Sequence, residues 1–201
     1  KKYGKPIDGH APGLTGKDMQ LYFDAGISTD HECFGYMEAL DKLKHGVKVM
    51  IREGSAAKNF ETLIPLLKDY PDQMMFCCDD KHPDNLIESH INDHVKRALK
   101  HGHNLYDVLR AASYNVIKHY NLPIGLLQLG DRADFIEIDN LSDFTILKTY
   151  IGGSLVAEKG QSFIKAVNAP ILNNFNCSLK QPSDFKLKVD GERIRVIEVL
   201  D

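Results

Sequence analysis

No apolar run in this 201-residue chain approaches the roughly 20 residues that a membrane-spanning helix needs, so such a span is excluded. No charged and then apolar leader of the secretory type opens it either. The chain begins with Lys rather than Met, so a removed targeting segment stays compatible with it. Positive charge is not in excess: the net charge of −3 gives no reason to expect nucleic acid or an anionic membrane surface as partner. Only four cysteines occur (Cys33, Cys77, Cys78 and Cys177), spaced neither as a disulfide framework nor as a CxxC zinc site. Reduced thiols in a cytoplasmic protein are therefore expected. Cys77 and Cys78, if on a strand, point to opposite faces and read as small buried hydrophobes. Internal repeats and low-complexity segments are absent too. What remains is ordinary for a soluble globular protein, with 43% hydrophobic and 26% charged residues and length for one or two domains.

The first half alternates short apolar segments with longer amphipathic ones. "KPIDGHAP" could end a strand, and "GKDMQLYFDAG" groups its apolar residues as a helix does, with Gly26 as a stop. After the short "GISTDHE", "FGYMEALDKLKHG" puts Met37, Leu40 and Leu43 on one helix face before Gly46 closes it. "VKVMIREGS" reads as a strand, "AKNFETLIPLLKDYP" as a helix bearing a proline, and "MMFCCDD" as another strand. "LIESHINDHVKRALKHG" and "NLYDVLRAASYNVIKHYNLP" then read as two helices. Such βα alternation implies a parallel sheet with covering helices. After about residue 122, "LGDRADFIEID", "FTILKTYIGGSLVAEKG" and "SFIKAV" read as a small antiparallel β unit. The stretch "NAPILNNFN" is linker-like, and two alternating strands around Asp190 and Gly191 carry a hairpin signal. The expected domains are 1–122, 123–167 and 168–201.

In parallel α/β folds, ligand chemistry gathers where strands end and βα loops begin. His10, residues 30–32, residues 52–55 and residues 79–82 all fall at such ends, and that recurrence is the informative fact. Two imidazoles and a carboxylate converging there suit zinc, iron or manganese. A metal so held makes hydroxide available near neutrality, and a neighbouring carboxylate can pass its proton to a leaving nitrogen. Asp79, the first acid after an apolar strand, is placed for both jobs. Asp80 and His82 could then orient ligands or the leaving group.

Each residue has a plainer reading. His10 and His31 could be surface or capping histidines, and Asp30 or Glu32 could open the next helix. Asp79 and Asp80 could be an N-cap pair within a turn sequence, and Glu53 could serve in an ion pair. His90, His94, His101, His103 and His119 lie on helical stretches and read as solvated faces.

Taken together, "DGHAPGLTGKDMQLYFDAGISTDHE", "VMIREGSAAKN", "CCDDKHPDNL" and "GDRADFIEID…YIGGSLVAEKG" closely resemble the bacterial adenine deaminases of the amidohydrolase superfamily. The resemblance runs over essentially the whole chain. It implies a (β/α)₈ barrel of the TIM type, a small β-sandwich and a further C-terminal domain. It also implies a metal pair, manganese or iron with zinc possible, that activates water against C6 of adenine, giving hypoxanthine and ammonia. Carried over by motif, His10, His31 and Asp79 resemble the metal ligands that end barrel strands five, six and eight, with Asp79 also moving the proton. Glu53 and Ser55, with His82, match positions beside the substrate. Glu32 and Asp80 match motif acids of the catalytic centre.

The family's first-strand HxH pair and fourth-strand bridging carboxylate have no counterpart, since the one H-x-H is His101 with His103 at a helix end. The expected architecture is thus α/β: barrel strands five to eight, then the antiparallel unit, as an expressed or proteolytic fragment. A fragment of this kind is expected to be inactive alone and to self-associate through open sheet edges, as a homo-oligomer. Other readings are an amidohydrolase acting on another heterocyclic amine or a cyclic amide, and a non-catalytic half-barrel assembly module. A third is a barrel completed by another chain that supplies the remaining ligands.

Overall fold

In the computed structural model, residues 3–168, 170–188, 191 and 195–197 are described. Contacts divide the chain into two compact units, Lys1–Ile164 and Lys165–Asp201.

The first unit opens with extended backbone over residues 4–11 and helix α1, Gly16–Asp24. Strand β1 (Thr29–Asp30), helix α2 (Tyr36–Lys44) and strand β2 (Lys48–Arg52) follow. Helix α3 (Phe60–Leu63) passes into a 3₁₀ turn, Ile64–Lys68, where Pro65 can donate no backbone N–H to continue the α-helical ladder. Strand β3 is Met74–Cys77. The three strands pair in parallel in the order β1-β2-β3, with Val49 opposite Met74 and Arg52 opposite Cys77. Alternation sends Val49, Ile51, Met74 and Phe76 into a helix-covered core with Leu43, Phe60, Leu66, Val95 and Val108. Met50, Arg52, Met75 and Cys77 take the opposite face.

Several expectations need correction. The segment "KPIDGHAP" is not a hydrogen-bonded strand; it runs beside β1 on one backbone bond, Ser28 N–H to Ile7 O at 3.0 Å. Pro6 and Pro12 lack donors, and Gly9 lies so close to β1 that a Cβ would stand 2.1 Å from Thr29 O. On α2 the buried residues are Ala39, Lys42 and Leu43, whereas Met37 is 71% exposed. The first of the two long helices is two: α4 (Pro83–Glu88) and α5 (Ile91–Lys100), parted at Ser89 and His90. The second runs as α6 (Leu105–Leu109), a π-helical turn (Arg110–Tyr114) and α7 (Asn115–Tyr120). His94 is fully buried rather than solvated, with Nε2 3.1 Å from Cys77 O.

The same unit carries a four-stranded antiparallel sheet of β4 (Phe135–Ile138), β5 (Ile146–Ile151), β6 (Ser154–Glu158) and β7 (Gln161–Ser162), in that order. Phe135 and Tyr150 stack across β4 and β5 with ring centroids 4.5 Å apart. "SFIKAV" contributes only its first residue to β7. In the second unit a 3₁₀ turn, Pro182–Phe185, stands where the first strand of the hairpin was expected to begin. Most of that hairpin lies outside the described residues. All four cysteines are free thiols. Among the described residues no helix is long and apolar enough to cross a membrane.

Candidate functional site

The loops after the extended segment and after β1 meet at the C-terminal end of the parallel sheet. His10, His31 and Glu32 each offer a ligand atom there, all within 4.8 Å of one another. The two rings stand edge to face, 5.4 Å between centroids, and His10 Nε2 lies 3.5 Å from Glu32 Oε2. His10 is exposed, while His31 and Glu32 are half-buried. Two imidazoles and a carboxylate, open on one side, are a donor set that fits a divalent cation.

Arg52, at the end of β2, is buried and joins this cluster to the end of β3. Its Nη1 pairs with Glu32, and its Nη2 stands 2.7 Å from Asp79 Oδ2 and 3.2 Å from Asp80 Oδ1. The guanidinium holds the Asp80 carboxyl below the usual carboxylate range. Asp79 adopts φ +40°, a left-handed conformation that Asp tolerates better than most residues, in the turn closed by Lys81 N–H to Cys78 O. Asp79 and Asp80 are therefore turn residues, and the N-cap of α4 is His82. Gly54 leaves the room for Asp80: a Cβ there would lie 1.7 Å from Asp80 Oδ1. Burial pushes the Cys77 thiol up to about 12, and the nearby Asp79 charge adds to the shift.

The remaining sequence candidates sit differently. Ser55 Oγ donates to Asn85 Oδ1 at 2.5 Å and accepts the His82 N–H at 2.9 Å, so the loop after β2 is tied to the start of α4. Glu53 follows Arg52 and so faces the helices. Its Oε2 takes Arg97 Nη1 at 2.5 Å and its Oε1 takes the Phe60 N–H at 3.2 Å. A cavity of about 230 Å³ adjoins the cluster, lined by His31, Glu32, Phe34, Arg52, Lys58 and Asn59 among others.

Two side chains take roles that only the fold reveals. Arg52 belongs to the polar cluster at the end of β2, but its partners lie far along the chain. Lys42 is fully buried, with Nζ 2.6 Å from Asp30 Oδ2, 2.6 Å from Glu38 Oε1 and 2.7 Å from Ala11 O. Burial alone would push this ammonium down, but the hydrogen bonds to Asp30 and Glu38 hold it above the ordinary lysine value. A buried charge needs such partners, and an i,i+4 acid such as Glu38 is the one signal the sequence offered.

The parallel sheet thus gathers imidazoles and carboxylates at its strand ends, a donor arrangement that suits a divalent metal. Residues 1–156 match the model of the Amidohydrolase family. The chain belongs to that family, which implies a divalent metal and a TIM-barrel type of fold. It is 51% identical to the adenine deaminase of Salinibacter ruber over 197 residues, 98% of this chain and 36% of that protein. The adenine deaminase of Borreliella burgdorferi is 50% identical over 203 residues, 99% of this chain and 37% of that protein. The chain thus spans little more than a third of the length of the curated relatives it matches. Among solved structures, a beta-aspartyl dipeptidase from Fervidobacterium islandicum superposes with TM-score 0.60 at 18% identity, over 82% of this chain and 50% of that one. An amidohydrolase from Thermotoga maritima gives 0.54 at 14% identity, over 76% and 44%. At such identities the likeness concerns the fold.

Proposed function

We propose that this chain serves the hydrolytic deamination of adenine to hypoxanthine and ammonia, as part of an adenine deaminase's metal-dependent barrel. The observation that carries this is the convergence of His10, His31 and Glu32, with Asp79 tied to them through Arg52. Identity near 50% to adenine deaminases along almost the whole chain supports the choice of substrate.

When bound, a divalent metal, proposed as manganese or iron with zinc as a further candidate, supplies Lewis-acid activation of water near neutral pH. His10 and His31 would hold it through ring nitrogens, with Asp79, which pairs with Arg52 beside them, proposed as a further ligand. The Asp79 carboxylate takes a proton from the attacking water and hands it to the amine nitrogen that leaves as ammonia. Arg52 keeps Asp80 ionised and fixes the positions of both Asp79 and Asp80 by ion pairing. Glu32, whose carboxylate stands beside both rings, would add a carboxylate oxygen to the metal site, and Asp80 completes the acid cluster. Adenine lies in the cavity beside His31, with Ser55 and His82 tying the neighbouring loop to the start of α4 and Glu53 bracing that loop from the helix side.

In this account the extended segment and β1, β2 and β3 correspond to barrel strands five to eight, within a domain over 1–122. Residues 123–167 form the β-sandwich part, and 168–201 open the next domain. Further ligands come from residues outside this set, so these residues alone turn over little or no adenine. Free thiols suit a cytoplasmic setting, and adenine and water are the partners. The open strand edges favour association between copies, for which light scattering is the check.

The test is metal content together with ammonia release, by the protein at its natural length, over a panel of adenine, other aminated heterocycles and cyclic amides. Adenine is expected to be the substrate released from. A metal-bearing protein that ignores adenine but opens another ring would assign a different substrate to the same site.

A further inference from the structure

We infer that Lys42 is the positioning residue that sets the spacing of His10 and His31, by clamping the two loops that carry them. The inference rests on the metal-site reading above only for its consequence, because the clamp itself is a matter of geometry.

All three ammonium hydrogens of Lys42 have acceptors, and each acceptor belongs to a different piece of the site. Ala11 O is the carbonyl directly after His10, and Asp30 directly precedes His31. Glu38 lies one turn back on α2 and extends the clamp. Its Oε1 also accepts the Gly13 N–H at 2.8 Å, and its Oε2 the Phe34 N–H at 3.1 Å. Asp30 Oδ1 in turn accepts the Glu32 N–H at 2.8 Å and the Ala11 N–H at 3.5 Å. One ammonium therefore fixes backbone on both sides of the histidine pair and at Glu32.

Asp30, Cys33 and Glu38 would otherwise resemble a second cation site, since their ligand atoms also lie within 4.8 Å of one another. The Lys42 ammonium reaches all three, with Cys33 Sγ at 3.7 Å, and is the cation these acids hold. Burial and the Asp30 charge push the Cys33 thiol well up, so it stays a protonated, weak partner. A surface lysine would pay for this ordering in entropy and gain little. A buried one with its donors filled leaves a single arrangement for the loops it joins.

The test compares wild type, Lys42→Met, and Lys42→Met combined with Asp30→Asn and Glu38→Gln. Circular dichroism checks the fold of each. The combined replacement removes the three charges together and leaves no unpaired ion buried, so it stays folded where the single variant fails. In metal-free protein, nuclear Overhauser contacts between the His10 and His31 ring protons report their spacing. Cobalt(II) titration, followed by visible absorption, reports the site.

The wild type is expected to show the ring contacts and to bind cobalt(II). The combined variant is expected to lose the contacts and bind cobalt(II) at least about tenfold more weakly, as when a ligand's support is removed. Ring contacts that persist in the combined variant overturn the inference, as does a cobalt(II) affinity unchanged from wild type. If wild type shows the contacts, the variant loses them and neither form binds cobalt(II), Lys42 is confirmed as the clamp and the metal-site reading fails instead.

Discussion

His10 and His31, twenty-one positions apart, stand edge to face with their rings inclined at 79°. Neither ring is in the hydrophobic core; both are brought together by loops that leave the same end of the sheet. Glu32 completes the group, and Arg52 links it to the acids after β3.

If His10 and His31 are direct ligands, as proposed, removing either imidazole costs more than loosening its support. His10→Ala and His31→Ala are each expected to lower divalent-metal affinity by more than about 100-fold, while the fold is kept. Calorimetric titration checks this. An unchanged affinity in either variant would remove that histidine from the site.

Gly9 meets the β1 backbone at a distance no side chain permits, with Thr29 O 2.1 Å and Ile27 Cγ2 2.8 Å from a would-be Cβ. Gly9→Ala must push the His10 loop away from β1. A loss of about 1–3 kcal/mol is expected, as for other overpacked sites, with weaker metal binding beside it. Denaturant unfolding with and without metal measures both.

Burial lowers the pKa of His94, and likewise of His90, His103 and His119, below the ordinary imidazole value. The unfolded chain then binds more protons than the folded one as pH falls below about 6.5. Stability from these neutral imidazoles is complete above that pH and is lost as pH falls towards the folded values. Melting temperature is therefore expected to drop between pH 7.5 and 5.5. His94→Gln, which can donate to Cys77 O but does not titrate, should flatten that drop. An identical pH dependence in the variant would contradict the assignment to His94.

The polar clusters were legible because each follows an apolar stretch, and β2 and β3 follow directly from "VKVMIR" and "MMFCC". His10 and His31 could be picked out for the same reason. Lys42 could not: a pattern that sorts residues into apolar and polar assigns lysine to water. The acids that bury this one come from Asp30 and Glu38 once the chain is folded. Arg52 was hidden in the same way, since Glu32 and Asp79 approach it only through strand pairing. The strand expected over "KPIDGHAP" failed because Pro6 has no donor and Gly9 is pressed against β1, which periodicity does not register. His94 read as solvated because its helix is strongly polar, yet its own position faces Phe60 and Phe76.

The most direct test of the account is adenine-dependent ammonia release by the metal-loaded protein at its natural length, compared with Asp79→Asn. The isosteric variant keeps the turn at φ +40° but can no longer take a proton. The wild type is expected to yield hypoxanthine and ammonia in equal amounts, and the variant to lose about 100-fold or more in rate. An Asp79→Asn protein that still deaminates adenine at the wild-type rate, or a metal-loaded wild type that leaves adenine untouched, would contradict it.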